Sequence, residues 1–315
     1  MGTISTAEQE APVPAAYRGR FAPSPTGPLH LGSLVAATAS YLQALAAGGE
    51  WLVRIDDIDP PREAPGAADE ILRCLETHGF CWDGEVRWQS QRAASHAAGV
   101  RALFDTGLAF RCDCSRQQVR AAARPGPAGP VYPGTCRHKA PGEVNPDNSA
   151  LRVAVTPTLI RFVDPLQGPQ HCRLDRDLGA FVIRRRDGLM SYVLATTLDD
   201  HAQGITEVVR GTDLLTMTFA QLWLQALLGL RRPAYLHVPV VRNAAGQKLS
   251  KQTGARPLAS DAPGANLCQA LACLGQDAPA ELEHESPAEI WRWATRHWEP
   301  RLAGRETGDL VKQRI

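Results

Sequence analysis

Between Arg20 and Ser33 the chain reads Arg-Phe-Ala-Pro-Ser-Pro-Thr-Gly-Pro-Leu-His-Leu-Gly-Ser. Pro23, Pro25 and Pro28 have no amide to give a strand ladder, so a strand entering this stretch has to leave the sheet. Gly27 permits a tight turn. From Leu31 the apolar residues return at Leu34, Val35, Leu42 and Leu45, a helical rhythm, and Gly48-Gly49 supplies the stop. Strand, stiff turn and helix in this order place His30, Gly32 and Ser33 in the first helical turn. Unpaired backbone N–H groups and the helix dipole favour an anion such as phosphate there. With no side chain, Gly32 lets a flat ligand lie against the backbone.

The next segments extend this start into an α/β plan. Trp51 to Ile55 reads as a buried strand, which predicts a right-handed parallel crossover. Asp56, Asp57 and Asp59 follow at its carboxyl end, where open α/β sheets bind ligands. Three carboxylates there suit an ammonium, a ribose or a metal, and equally a solvated loop with helix caps. Helices are predicted from Ala67 to His78 and from Trp88 to about Thr106. A second strand–helix–strand unit runs from Ile205 to Val241. Its turn and helix cap are expected at Gly211-Thr212-Asp213 and its helix from Leu214 to Leu228.

Between the two units the pattern changes. Cys112, Cys114 and Cys136, with a Pro/Gly-rich loop between them, match a small zinc knuckle whose fourth ligand is Tyr132 or His138. Three unrelated buried thiols is the plain alternative. Leu151 to Val155 and Leu159 to Val163 read as short strands. Arg184, Arg185 and Arg186 suit phosphate contact or, more simply, a solvated edge. Asp199-Asp200-His201 on its own suggests a metal site. Past Val241, the polar loop from Asn243 to Gln252 carries Lys248 and Lys251, a composition that fits a lid bringing cations to a polyphosphate, or an ordinary surface loop. Two short helices are predicted from Ala265 to Leu274 and from Pro287 to His297, with Trp291, Trp293 and Trp298 read as packing residues.

Composition limits the choices. The chain has 315 residues, 44% hydrophobic and 21% charged, enough for a sizeable core. No apolar run is long enough to span a membrane. The first sixteen residues, rich in Ala, Pro and Glu, lack the apolar stretch of a signal peptide and read as a disordered tail. Eight scattered cysteines without an export signal argue for cytoplasmic thiols rather than a disulfide framework. A net charge of +1 neither predicts nor excludes a nucleic-acid partner, since only the local patch matters.

The motifs taken in order carry a resemblance. His30-Leu31-Gly32-Ser33 resembles the HIGH signature of class I aminoacyl-tRNA synthetases, and Lys248-Leu249-Ser250-Lys251-Gln252 resembles their KMSKS loop. Arg20 to Gly27, Arg54 to Asp59 and Asp199 through Asp213 look like the glutamate-specific branch. The resemblance runs from about Tyr17 to about Lys251. Only about sixty residues follow the loop, too few for the anticodon-binding domain of glutamyl-tRNA synthetases, and Gln252 stands where Ser is usual. Both features are similar to the glutamyl-queuosine tRNA(Asp) synthetase family.

That resemblance implies an α/β fold: a Rossmann-type parallel sheet interrupted by an inserted subdomain with a zinc knuckle, then a short helical C-terminal segment. The expected divisions are a tail to residue 16, catalytic halves at 17–108 and 191–256, the insertion at 109–190 and the C-terminal segment at 257–315. The implied activity is ATP-dependent activation of glutamate, with Mg²⁺ accompanying ATP, and transfer of glutamate to queuosine in the anticodon of tRNA(Asp). By the same resemblance Arg20, Phe21, Ala22, Pro23, Ser24, Asp56, Tyr192 and Arg210 form the glutamate pocket. His30, Gly32, Ser33 and Lys251 meet ATP, and His30, Lys248 and Lys251 stabilise developing charge. Zinc is structural, held by Cys112, Cys114, Tyr132 and Cys136. The family has Glu at the position of Asp56, so the acidic partner here is one methylene shorter. A truncated glutamyl-tRNA synthetase charging a 3′ end shares this chemistry, and a non-catalytic RNA-binding relative is the remaining alternative.

Overall fold

The computed structural model describes residues 16–127, 129–140, 142–243, 246–249 and 256–301. The first fifteen residues and Ser250, Lys251 and Gln252 of the KMSKS-like loop lie outside them. Strand β1 (Arg18–Phe21) pairs in parallel with β2 (Glu50–Ile55), and β2 with the short β3 (Arg87–Trp88). Helix α1 (Leu31–Ala46) makes the first crossover. Helix α2 (Ala67–Thr77) follows β2, and α3 (Ala93–Asp105) follows β3.

The second parallel pair is β9 (Glu207–Gly211) with β10 (Ala234–Val238), joined by α6 (Leu215–Leu228). A backbone hydrogen bond from Thr206 N–H to Arg18 C=O sets this pair beside β1. Helix α6 stops at Gly229 in a left-handed conformation, φ 63°, a backbone that a residue with a Cβ adopts at a cost.

Alternation along β2 divides the sheet into two unlike faces. Trp51, Val53 and Ile55 are buried under α1, while Glu50, Leu52 and Arg54 point to the other side. The α1 side is the larger core. Tyr41, Trp51, Phe80 and Trp291 form a chain of ring contacts with centroids 4.8–5.4 Å apart, which pins α8 (Pro287–His297) and, beside it, α7 (Pro263–Cys273) onto α1. Trp291 is buried and Trp293 and Trp298 are partly buried against this core, so the C-terminal tryptophans are packing residues.

The segment between the two parallel units is antiparallel. Strand β4 (Ala109–Cys112) pairs with β5 (Ala150–Val153), which pairs with β8 (Phe181–Arg184). A short helix α4 (Arg116–Ala122), started by a Ser115/Gln118 capping box, follows β4. Strands β6 (Leu159–Asp164) and β7 (Gly168–Arg173) form a separate ribbon whose inner face, with Phe162 and Cys172, packs on α6 and β10. Helix α5 (Tyr192–Ala202), capped by Ser191, returns the chain to the parallel sheet. No helix of the described residues is long and apolar enough to cross a membrane.

Two local expectations change. His30 is the cap of α1 rather than part of its first turn; its backbone is extended, and its side chain accepts the Ser33 N–H. Asp213 does not cap α6, whose start has no side-chain cap; its carboxylate pairs instead with Lys248.

Candidate active site

A cleft of about 760 Å³ opens where β1 and β9 end beside the start of α1. Its size is ordinary for a small-molecule site. The proline-rich turn after β1 makes one wall, with Arg20, Phe21, Ala22, Pro23 and Ser24. His30, Gly32 and Ser33 face the cleft from the start of α1, Tyr192 from the first residue of α5, Arg210 from β9 and Lys248 from the loop after β10.

The chain folds this way for local reasons. Asp56 N–H donates to Pro23 C=O at 3.0 Å and Ala64 N–H to Pro25 C=O at 2.9 Å, so the segment after β2 takes up carbonyls that the proline turn cannot pair with itself. His30 Nδ1 lies 3.3 Å from Ser33 N, and its ring lies over Gly32. A Cβ on Gly32 would come within 3.1 Å of His30 Cε1 and 3.4 Å of the Leu249 carbonyl. The glycine thus lets the HIGH-like turn and the KMSKS-like loop approach each other.

The two arginines of the cleft differ. Arg20 is held by Asp200, Nε to Oδ1 at 3.3 Å and Nη2 to Oδ2 at 3.4 Å, and its Nη1 donates to the Val209 carbonyl at 3.3 Å. All three of its nitrogens have protein acceptors. Arg210 donates through Nε to His237 and through Nη2 to Thr218, while its Nη1 is buried with no partner among the described residues. Of the two, Arg210 is the one with an entire nitrogen unpartnered among the described residues.

Asp56 is not part of the cleft wall. Its Oδ1 accepts from Arg54 Nε at 2.7 Å, and its Oδ2 is buried without a partner among the described residues. Burial pushes this carboxyl up to about 6 against the pull of Arg54. The other two acids of the cluster turn elsewhere, Asp57 to Ser90 and Asp59 to Arg62 and Arg185.

The Asp199-Asp200-His201 stretch is not a metal site. Asp199 is taken by His96 at 3.0 Å, Gln89 at 2.9 Å and Arg92 at 3.2 Å, and Asp200 by Arg20 and Arg54; His201 is exposed. Burial would raise Asp200, but Arg20 and Arg54 outweigh it and hold the carboxyl below 3.8. The arginine run starts on the last residue of β8, an outer strand of its sheet, and its last two residues are tied to the protein. Arg185 bonds Asp59 at 3.1 Å, and Arg186 donates to the carbonyls of Asp113 and Cys114 at 2.7 and 3.0 Å.

A class I tRNA synthetase catalytic-domain model, of the glutamate and glutamine (E and Q) group, matches residues 16–272. A solved glutamate tRNA ligase from Elizabethkingia meningosepticum, in complex with its amino acid, superposes with a TM-score of 0.72 at 22% identity, covering 95% of this chain and 69% of that one. Among curated relatives, the glutamyl-Q tRNA(Asp) synthetase of Ectopseudomonas mendocina is 52% identical over 285 residues, 90% of this chain and 94% of the relative. That of Thiobacillus denitrificans is 51% identical over the same shares. The chain belongs to the glutamyl-Q tRNA(Asp) synthetase family. Its fold is the α/β fold of class I synthetases.

In this member of the glutamyl-Q tRNA(Asp) synthetase family, Cys112, Cys114 and Cys136 are the cluster of the described residues able to hold a metal, their sulfurs all within 4.8 Å of one another. The Tyr132 hydroxyl lies 3.3 Å from Cys112 Sγ and 3.7 Å from Cys114 Sγ, and Cys114 and Cys136 are 3.4 Å apart. Ligands at the edges of a zinc tetrahedron stand roughly 3.5–4 Å apart. His138 is exposed and outside the cluster, so Tyr132 is the side chain placed as a fourth donor.

Sequence reading named Asp200 but not its hold on Arg20, and it missed the residues behind Arg210: His237, Thr218 and Asp164. His237 left one trace, as the polar residue in the otherwise apolar run from Tyr235 to Val241.

Proposed function

We propose that this cleft activates glutamate with ATP and transfers it to queuosine in the anticodon of tRNA(Asp). The observation that carries the reading is the convergence on one cleft of an unpartnered buried arginine Nη1, the α1 start with His30 and Gly32, and Lys248. A dicarboxylate with one ammonium needs a guanidinium and an acidic partner, and a triphosphate needs a helix N-terminus and cations.

The substrate α-carboxylate attacks the α-phosphorus of ATP, the bond from that phosphorus to the oxygen of the β-phosphate breaks, pyrophosphate leaves and glutamyl-adenylate remains, and no enzyme nucleophile is required. The protein's part is positioning and charge stabilisation. Arg210 receives a glutamate carboxylate. Arg20, tied to Asp200, lends positive charge to the wall formed by Phe21, Ala22, Pro23 and Ser24. Tyr192 closes the pocket from α5. The Asp56 Oδ2 accepts from the ammonium through a bridging water, since the shorter side chain stands behind the wall. His30, with Gly32 and Ser33, faces the phosphates. Lys248, drawn from Asp213, and Lys251 stabilise the departing pyrophosphate, with Mg²⁺ as the companion of ATP. Cys112, Cys114, Tyr132 and Cys136 would hold zinc in a closed site that cross-links β4 to the loop after α4 and takes no part in the reaction.

Glutamate ligation with ATP to three purified RNAs tests the function: tRNA(Asp) with queuosine, tRNA(Asp) without it, and tRNA(Glu). The expected result is labelling of the first alone, surviving removal of its 3′ terminal adenosine. Labelling of tRNA(Glu) alone, lost on that removal, would overturn it.

A further inference from the structure

His237 is fully buried in β10 and has no part in the chemistry assigned above. Its Nδ1 lies 2.7 Å from Asp164 Oδ2. The same oxygen accepts the His237 backbone N–H at 2.9 Å, and Oδ1 accepts those of Leu166 and Gln167, both at 2.9 Å. A carboxylate that receives N–H donors on both oxygens is ionised. Nδ1 therefore carries the imidazole proton, and Nε2 presents a lone pair. Burial lowers the imidazole from 6.5 despite Asp164, which keeps it neutral.

That lone pair faces Arg210. Nε of Arg210 is 3.2 Å from His237 Nε2, and Arg210 Nη2 is 2.7 Å from Thr218 Oγ1, which is itself 3.0 Å from His237 Nε2. Two of the three guanidinium nitrogens are thus fixed from behind. The third, Nη1, is buried, has no protein partner among the described residues and belongs to a cleft residue.

We infer that Asp164, His237 and Thr218 are positioning residues that fix the Arg210 guanidinium so that its Nη1 presents both protons to a carboxylate of the amino-acid substrate. The inference rests on the glutamate reading of the cleft. A proton on His237 Nε2 would confront the Arg210 Nε–H, so Asp164 acts on the arginine by choosing the tautomer of the histidine between them. For packing alone an apolar side chain on β10 would serve better, because burying the Asp164 carboxylate and a polar imidazole costs desolvation that their hydrogen bonds must offset. Arg20 is fixed differently, by a fork on Asp200 and a bond to the Val209 carbonyl.

The test is ATP–pyrophosphate exchange by the full-length protein, with glutamate and ATP varied separately. The proteins compared are the wild type, Arg210→Ala, His237→Leu, His237→Gln and Thr218→Val. A fork displaced by about an ångström costs on the order of 10- to 100-fold. We expect His237→Leu to raise the KM for glutamate by that factor while the KM for ATP stays within about two-fold of wild type. His237→Gln, whose amide oxygen replaces the lost acceptor, should recover most of the difference. Thr218→Val, of nearly the same shape, should move the glutamate KM in the same direction; it decides the matter if His237→Leu does not melt cooperatively. Unchanged glutamate KM in His237→Leu and Thr218→Val, with Arg210→Ala impaired, overturns the inference and leaves the glutamate reading standing. Equal loss for glutamate and ATP, unrelieved by His237→Gln, overturns it as well by marking a general structural role. A wild type without glutamate-dependent exchange removes the glutamate reading, and the inference with it.

Discussion

Arg54 and Asp200 meet through Nη1 and Oδ1 at 2.8 Å, 146 residues apart in sequence and both nearly sealed from solvent. Arg20 reaches the same Oδ1 at 3.3 Å, and Arg54 bonds Asp56 through Nε. Two cations and two anions are therefore buried as one network between the parallel sheet and α5, directly behind the cleft.

Removing one anion from such a network leaves uncompensated charge where water cannot follow. Asp200→Asn should destabilise the protein by about 3–5 kcal/mol, the range for breaking a buried ion pair by deleting one partner. Urea unfolding followed by tryptophan fluorescence measures it. A loss below about 1 kcal/mol, the worth of an exposed pair, would show that the arginines are hydrated in solution.

Gly32→Ala probes the cleft with one methyl group. The helix itself tolerates alanine, but the new Cβ would press on His30 Cε1 from 3.1 Å and on the Leu249 carbonyl from 3.4 Å. The melting temperature should stay within about 2 °C of wild type, given how little a few tenths of a kcal/mol moves a chain of this size. Pyrophosphate exchange should fall on the order of ten-fold or more as His30 and the loop shift. Normal exchange would separate the His30 ring position from the reaction.

The cysteine cluster predicts about one zinc ion per chain, and a Cys112→Ser, Cys114→Ser double variant should carry none. Elemental analysis of the dialysed proteins gives the count. The variant should melt at lower temperature, because Cys136 and the Tyr132 hydroxyl would no longer be joined through the ion to β4. Zinc at wild-type stoichiometry in the double variant would remove Cys112 and Cys114 from the ligand set.

Acid should weaken the fold below about pH 4. Asp164, Asp199 and Asp200 are buried, which alone would raise them, yet His237, His96, Arg20 and Arg54 hold all three below 3.8 in the folded chain. A carboxyl whose folded value is depressed contributes stability that is complete above the unfolded value and disappears as pH falls through the folded one. Asp56 works the other way. Its folded value of about 6 means that its ionisation removes stability as pH rises from 3.8 to about 6. Burial likewise raises Glu207. With three depressed carboxyls against these two, melting temperatures recorded between pH 3 and 7 should drop at the acid end. A flat profile there would contradict the three depressed carboxyls.

The first crossover was legible because its signals are local. Three prolines end β1, the Leu31–Leu34–Leu42 spacing makes α1, and the Cys112, Cys114 and Cys136 spacing found its cluster without a partner far away. The Asp199-Asp200 pair misled because its partners are distant: His96 stands 103 residues before Asp199, and Arg20 180 residues before Asp200. Two adjacent acids and a histidine look like ligands until the cations that claim them are brought in by the sheet. Asp56 stands behind the cleft wall, bonded to Arg54. Its place after β2 puts it beside the cleft, but whether a carboxylate reaches the wall depends on one methylene and on Arg54. The support of Arg210 was hidden in an apolar strand, where a single histidine gives no period to read.

Asp164 ends β6, inside the antiparallel segment that separates the two parallel units, yet its carboxylate grips His237 near the end of β10. The interrupting segment is accordingly no detachable cassette. A chimera that exchanged it for the equivalent stretch of another synthetase would import a foreign residue behind Arg210, and would alter the nucleotide-independent half of the pocket without touching a single residue of its lining.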